Sequence, residues 1–327
     1  MLNPKLQLNQ GIFHKDVKLE STRKGFGAGI VAAAKKHDNL LVLCADLNDS
    51  LHLDDFVKKF PKRFIQTGIA EQNMASIAAG LALSSKLPFA CSFSVFNPGR
   101  NWEQIRLSIC YSNANVKLVG SHSGLSHSRD GGMAQALEDI ALTRTLPNIS
   151  VVHPLDYEEA IKATLAVAKH KGPVYLRLTR EKTPVITTPK TPFNIGKAAV
   201  LKEGSDVTIL GTGPITYEAL VATKILQGKH KINAEVISVS TIKPLDEETI
   251  VKSAKKTGVV ITIEDHQIAG GFGSAITELL SEKYPVKIKR MGMADKFGES
   301  GFYNELLDKF GMSAHHIVDA AVKLVKK

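Results

Sequence analysis

Glu71 stands in the run Ile65-Gln-Thr-Gly-Ile-Ala-Glu-Gln-Asn-Met74, where a short apolar segment passes through Gly68 into a helix-forming stretch. Ile69, Met74, Ile77, Ala78 and Leu81 recur at helical spacing, which gives the helix an apolar face and places the carboxylate in its first turn. Acidic side chains favour that end of a helix on electrostatic grounds alone, so position by itself does not mark a reactive group. The small residues of Ala75-Ser-Ile-Ala-Ala-Gly-Leu-Ala82 imply close packing on several sides, which puts Glu71 at a buried edge. A carboxylate there is costly unless it is neutralised or given a specific partner.

A second group follows the strand-like Val116–Gly120. The loop Ser121–Met133 carries His122, His127, Arg129 and Asp130. Metal binding is the obvious alternative for such a cluster, but no acidic or cysteine partners fall at ligand spacing, and we expect no metal to be held by this chain. Arg177 and Arg180 close another strand, and alternation predicts opposite faces for them, one a surface charge and the other a site cation. Arg180, further into the loop, is the better candidate for a phosphate. Asp46 and Ser50 lie in a polar loop after the strand Leu40–Ala45, where α/β proteins place ligands. Phe93 and Phe96, three apart in a strand, are expected on opposite faces and packed in the core, although a bend at Asn97-Pro98 could present Phe96 at the strand end.

The elements that must position these groups alternate. A loosely organised arm (1–20) precedes a helix from Ser21 or Thr22 to Ala34. Strands are expected at 40–45, 88–96, 116–120, 149–152 and 173–178, with helices at 54–59, from Trp102, 134–145 and 157–169. Such alternation argues a parallel sheet covered by helices on both faces. Pro184, Pro189 and Pro192 mark a linker across 184–198. A smaller α/β unit, 199–327, follows, with strands at 207–211, 234–239, 259–263 and 286–289. The first unit spans 21–183. Gly25, Gly27 and Gly29 do not follow a strand, and Gly211-Thr-Gly213 lacks a third glycine, so neither is a dinucleotide fingerprint.

With 327 residues the chain has room for about two domains. Its apolar runs are too short to span a membrane, and the first twenty residues lack the apolar core of a signal peptide. Cys44, Cys91 and Cys110 are odd in number and lack metal spacing, the pattern of reduced cysteines in a cytoplasmic protein. A net charge of +10 invites a nucleic-acid reading. The lysines are dispersed and not interleaved with aromatics, so a solvated basic surface, suited to phosphorylated substrates, is the better account.

Together these motifs resemble the transketolase family of thiamine diphosphate enzymes. The resemblance is carried by Thr22-Arg-Lys24, Asp46 with Ser50, Gly68–Met74, Phe93–Arg106, Gly120-Ser-His-Ser-Gly124, Ala136-Leu-Glu-Asp139, Ile242-Lys-Pro-Leu-Asp246 and Glu264-Asp-His266. It implies two three-layer α/β/α domains, a pyrimidine-binding domain and a transketolase C-terminal-like domain. It also implies that Glu71 holds the cofactor's aminopyrimidine ring and promotes its imino tautomer. By the same likeness Phe96 and Phe93 line the pyrimidine pocket and Asp46 lies near the cofactor. Arg23, Ser50, His122 and Arg180 match positions that grip a sugar phosphate, and Asp130 one that contacts sugar hydroxyls.

The family's diphosphate-binding domain, with the Gly-Asp-Gly and asparagine that hold Mg2+, has no counterpart here, since Asp130-Gly131-Gly132 stands in the wrong context. The resemblance therefore implies the C-terminal subunit of a split transketolase, completed by an N-terminal subunit in a hetero-oligomer with two copies of each chain, and moving two-carbon ketol units between sugar phosphates. Related readings are half of a deoxyxylulose phosphate synthase-like enzyme, a 2-oxoacid dehydrogenase beta subunit, or a non-catalytic scaffold. One departure concerns specificity. Where the family places a His or Gln that reaches the substrate, this chain has Ala134, with Gln135 one place later, so His127, Arg129 or Gln135 would have to compensate.

Overall fold

The computed structural model describes residues 2–325. After the arm come β1 (Leu19–Glu20), α1 (Thr22–Ala34), β2 (Leu40–Cys44), α2 (Asp54–Lys59), β3 (Phe64–Gln66), α3 (Glu71–Leu83) and β4 (Leu87–Phe93). Next are α4 (Trp102–Gln104), which continues as a π-helical Ile105–Tyr111, β5 (Lys117–Ser121), a 3-10 segment (Gly124–Asp130), α5 (Asp139–Arg144), β6 (Ser150–Val152), α6 (Tyr157–Lys169), β7 (Val174–Arg177) and β8 (Thr183–Pro184). The second half holds β9 (Ala199–Lys202), β10 (Val207–Gly211), α7 (Thr216–Ile225), β11 (Ala234–Ser238), β12 (Thr241–Lys243), α8 (Glu247–Thr257), β13 (Val259–Gln267), α9 (Phe272–Lys283), β14 (Lys287–Met293), α10 (Tyr303–Lys309) and α11 (Ala314–Val325).

Among the described residues the strands form a seven-stranded sheet ordered β12-β6-β7-β5-β4-β2-β3, a five-stranded sheet ordered β14-β13-β10-β11-β9, and the small pair β1-β8. The central strands of the larger sheet are parallel and apolar on both faces, because helices cover both. From β2 the chain moves outward to β3, then crosses back to lay β4 on the other side of β2. The loops leaving β2 and β4 diverge, and a crevice opens at the carboxyl ends of the strands.

Helix α1 starts at the Ser21 cap, whose Oγ accepts the Lys24 N–H, and packs closely on α6. Gly25 makes that approach possible, since a Cβ there would lie 2.4 Å from the Tyr157 carbonyl oxygen. Gly25→Ala is expected to destabilise the chain by about 1–3 kcal/mol through overpacking. Urea unfolding would check this, and an unchanged midpoint would show that α6 yields freely.

Four expectations require correction. The arm is not loosely organised: Leu8 and Ile12 are buried among second-half residues, and the Asn3 N–H donates to the Leu201 carbonyl at 2.8 Å. Of the helix expected over 134–145 only Asp139–Arg144 forms. The preceding residues form a turn and two bends because their backbone bonds elsewhere, the Ala136 carbonyl accepting from Gly124 and the Leu137 carbonyl from Gln267. Arg177 is neither a surface charge nor open to solvent but wholly buried beneath the second half. Finally, α10 and α11 extend the second unit beyond the last expected strand, and the apolar spacing of Ala314, Ile317, Val318 and Ala321 is the signal that marks α11.

Candidate active site

Gly68, with φ +71°, turns the chain from β3 into α3, so Glu71 becomes the first residue of that helix. Its side chain is only 1% exposed. The Ser92 hydroxyl donates to Oε1 at 3.1 Å and the Arg100 guanidinium to Oε2 at 3.1 Å. The Asn101 amide donates to the Glu71 carbonyl at 3.2 Å, which ties the helix start to the turn after β4. The buried carboxylate is thus supported by a hydroxyl, a cation and a helix N-terminus. Ser92 and Arg100 went unassigned in the sequence, although a serine inside the apolar strand Leu87–Phe93 is a polar group in need of a buried partner.

Strand β4 ends at Phe93, and a tight turn, with Phe96 N–H donating to the Phe93 carbonyl, brings the second ring back over the first. The rings lie near-parallel with centroids 6.4 Å apart. Both are half-buried. The expectation of opposite faces fails because the strand stops before it can alternate, and of the two rings Phe93 packs against the core. Arg100 lies over the Phe96 ring, 4.6 Å from its centroid, while holding Glu71.

Phe93 links this group to the second. The His122 ring, at the end of β5, lies 3.9 Å from the Phe93 centroid, and His127 meets the same ring edge-on at 5.1 Å. Burial, reinforced by His127, Arg23 and Arg180, pushes the His122 pKa down to about 2, so this imidazole is neutral. Its Nδ1 pairs with the Ser121 hydroxyl at 2.9 Å. His127 Nδ1 lies 2.7 Å from the Ala134 carbonyl and Nε2 lies 3.0 Å from Asp130 Oδ2. Burial lowers the His127 pKa against the opposing pull of these two acceptors.

Arg180 Nη1 donates to Asp130 at 2.8 Å and to the His127 carbonyl at 3.0 Å. Arg23 donates through Nε to the Arg180 carbonyl at 3.3 Å and through Nη1 to the Ser50 carbonyl at 2.6 Å. Burial and the Arg180 charge lower the Arg23 pKa, so the two guanidiniums repel each other in a partly desolvated corner. An anion placed between them would relieve that repulsion.

Arg23, Ser50, Glu71, Phe93, Phe96, His122, Asp130 and Arg180 therefore form one contiguous chain of contacts at the strand ends. Asp46, with φ +60° after β2, is exposed and donates its backbone N–H to Gln66. Gln135 is buried, and its amide nitrogen donates to the Ser128 and Glu299 carbonyls, which leaves only its Oε1 without a partner among the described residues. Among the described residues no three His, Cys, Asp or Glu side chains gather as a metal site, and no helix is long and apolar enough to cross a membrane.

Residues 20–185 match the transketolase pyrimidine binding domain and residues 196–317 the transketolase C-terminal domain. A protein described as a putative transketolase C-terminal section, from Methanocaldococcus jannaschii, is 43% identical over 93% of this chain and 96% of its own length. A 6-deoxy-6-sulfo-D-fructose transketolase subunit from Clostridium sp. strain MSTE9 is 41% identical over 95% of this chain and 97% of its own. Among solved structures, a split-gene transketolase described as an inactive β4 tetramer superposes with a TM-score of 0.88 at 43% identity, covering 94% of this chain and 98% of that one. The chain belongs to the transketolase family. It corresponds to the C-terminal half of a transketolase and is built of two α/β domains.

The residues present fit the cofactor's pyrimidine. A buried carboxylate is available to a ring nitrogen, and the half-buried Phe93 and Phe96 offer an aromatic wall for a flat heterocycle.

Proposed function

We propose that this chain, joined to an N-terminal subunit carrying the diphosphate-binding domain and Mg2+, transfers a two-carbon ketol unit from a ketose phosphate to an aldose phosphate in pentose phosphate metabolism in the cytoplasm. We assign the pyrimidine-binding domain to 21–183 and the C-terminal-like domain to 199–327, with 184–198 between them, and an assembly of two copies of each subunit. One observation carries the reading. The buried Glu71 carboxylate meets the Phe93/Phe96 wall through Arg100, and that wall runs, through His122 and His127, to the Arg23/Arg180 corner.

When bound, thiamine diphosphate supplies the carbanion that breaks and makes the carbon–carbon bond. This chain's residues supply orientation and proton control. Glu71 holds a proton between its carboxylate and the pyrimidine ring nitrogen, and Ser92 keeps the carboxylate pointed there. Phe96 and Phe93 exclude water from one face of the ring, and Asp46 borders the cofactor. Arg23 and Arg180 hold the substrate's phosphate. Neutral His122 offers a hydrogen bond without adding a charge. Ser50 places Arg23 through its carbonyl and presents its hydroxyl to the phosphate, and Asp130 accepts from a sugar hydroxyl.

The test is ketol transfer from xylulose 5-phosphate to ribose 5-phosphate, comparing this chain, its partner and the mixture, with cofactor and Mg2+ present. Activity in the mixture alone is the expected result; turnover by the single purified chain would overturn the two-subunit reading. Since Ala134 contributes no hydrogen-bonding side chain, the donor panel should include other ketoses, among them the sulfonated hexose named in the Clostridium relative. Arg180→Ala is expected to raise KM for the phosphorylated donor roughly 10- to 100-fold, the worth of a charge-assisted hydrogen bond. An unchanged KM would remove Arg180 from the phosphate site.

A further inference from the structure

The 3-10 segment Gly124–Asp130 presents His127 and Asp130 to the substrate corner, yet its backbone is not self-supporting. Ser128, a non-glycine residue, adopts φ 53° and ψ −117° within it. Such conformations persist only where the surroundings over-determine them. Here the determining contacts come from Gln135 and from the second half of the chain, to which Gln135 is itself bonded.

Asp265, near the end of β13, accepts the Leu125 N–H through Oδ1 at 2.8 Å. It lies so close beneath Gly124, at φ +62°, that a Cβ there would stand 2.5 Å from its carboxylate. On the other side the Gln135 amide bridges two carbonyls, that of the strained Ser128 at 3.0 Å and that of Glu299 at 2.9 Å. Gly298 is pressed onto the same amide, where a Cβ would meet Gln135 Oε1 at 1.8 Å. The Arg129 guanidinium rests over the Phe302 ring at 5.4 Å. The loop is thus gripped at both ends by residues that lie outside the chain of contacts at the strand ends. Its carbonyl at His127 and carboxylate at Asp130 then fix the Arg180 guanidinium.

We propose that Asp265 and Gln135 are positioning residues for the sugar-phosphate end of the site, and that through them the C-terminal domain acts as a clamp on loop 124–130. The proposal rests on the assignment of Arg180 and Asp130 to substrate binding. It gives the C-terminal domain a part in catalysis although none of its side chains enters the chain of contacts described above.

The experiment uses the assembled two-subunit enzyme carrying Gln135→Ala, Asp265→Ala, Asp265→Asn or Arg180→Ala, with KM, kcat and thiamine diphosphate affinity measured for each. Gln135→Ala and Asp265→Ala are expected to raise the ketose phosphate KM about tenfold while cofactor affinity stays unchanged. Asp265→Asn is expected to restore the native KM, because its amide oxygen still accepts the Leu125 N–H. An unchanged KM in both alanine variants would overturn the clamp. So would a parallel loss of KM, kcat and cofactor affinity that asparagine does not rescue, since that is general loosening of the fold. If Asp265→Ala fails to fold, Gln135→Ala, which leaves no charge buried, decides by the same criterion. Arg180→Ala separates the two readings: if it leaves KM unchanged the substrate assignment falls, whereas if it alone raises KM the clamp falls and the assignment stands.

Discussion

Glu71→Gln is expected to lower turnover of the assembled enzyme by roughly 10²- to 10⁴-fold, the usual worth of a positioned acid–base group, while leaving the chain folded. Glutamine keeps the shape and can still accept the Ser92 hydroxyl at the Oε1 position. What it cannot do is carry the negative charge that holds a proton on the pyrimidine ring nitrogen. The ion pair from Arg100 to the buried carboxylate is lost, but its structural cost is moderated because the Arg100 side chain is half exposed and can turn its guanidinium to water. The measurement is kcat beside a thermal melt and a cofactor titration. Turnover within a factor of a few of wild type would refute the assignment, and a collapse of the melt would reveal a structural carboxylate instead.

The second large effect concerns stability. Asp139, at the start of α5, receives Arg177 Nε at 2.8 Å, Arg177 Nη2 at 3.1 Å and the Tyr175 hydroxyl at 2.7 Å, and both members of the ion pair are buried. Arg177 also donates to the Asp265 carbonyl at 2.9 Å, so the pair fastens the two halves together. Asp139→Ala would leave a guanidinium buried without its counter-charge and is expected to cost about 3–5 kcal/mol. Replacing both partners by apolar residues should recover much of that loss. Urea unfolding of the native chain and the two variants is the check, and a single-site loss below that of the double variant would contradict the account.

The same pair sets a pH dependence. Burial pushes the Asp139 carboxyl up, but Arg177 outweighs burial and the pKa stays below its ordinary 3.8. The stabilisation is therefore complete above that ordinary value and is lost as pH falls through the depressed one. Acid unfolding of the native chain should show a contribution in that window that the double variant lacks.

Much of the site was legible in the sequence where local rules act. Gly68 followed by apolar residues at helical spacing announces the start of α3, and with it the buried place of Glu71. The loops after β2, β5 and β7 were legible as ligand positions because parallel strands deliver their carboxyl ends to one side. The rest depends on contacts between distant segments. Strand alternation misplaces Phe96 because β4 ends three residues early, and it misjudges Arg177 because a second domain covers the end of the sheet. Ser92 and Arg100 acquire meaning only when β4 and the turn after it pack on α3. Gln135, one place beyond the family's substrate-reaching position, shows how a candidate substrate contact can be drawn into the scaffold: two carbonyls claim its amide nitrogen.

The antiparallel addition of β12 to β6 has a bearing on modularity. A strand contributed by residues 241–243 completes the edge of a sheet whose other members all lie before residue 178, while Leu8 and Ile12 from the opposite terminus lie in the core of the second half. Separating the two units at the proline-bearing link would take β12 from β6, leave β6 as the sheet edge and bare a row of main-chain groups, the template on which sheets of different molecules add to one another. Limited proteolysis of that link should accordingly yield a nicked complex that remains associated under native conditions, and either fragment produced alone should precipitate. For recombination between relatives, the two α/β units travel as a single cassette.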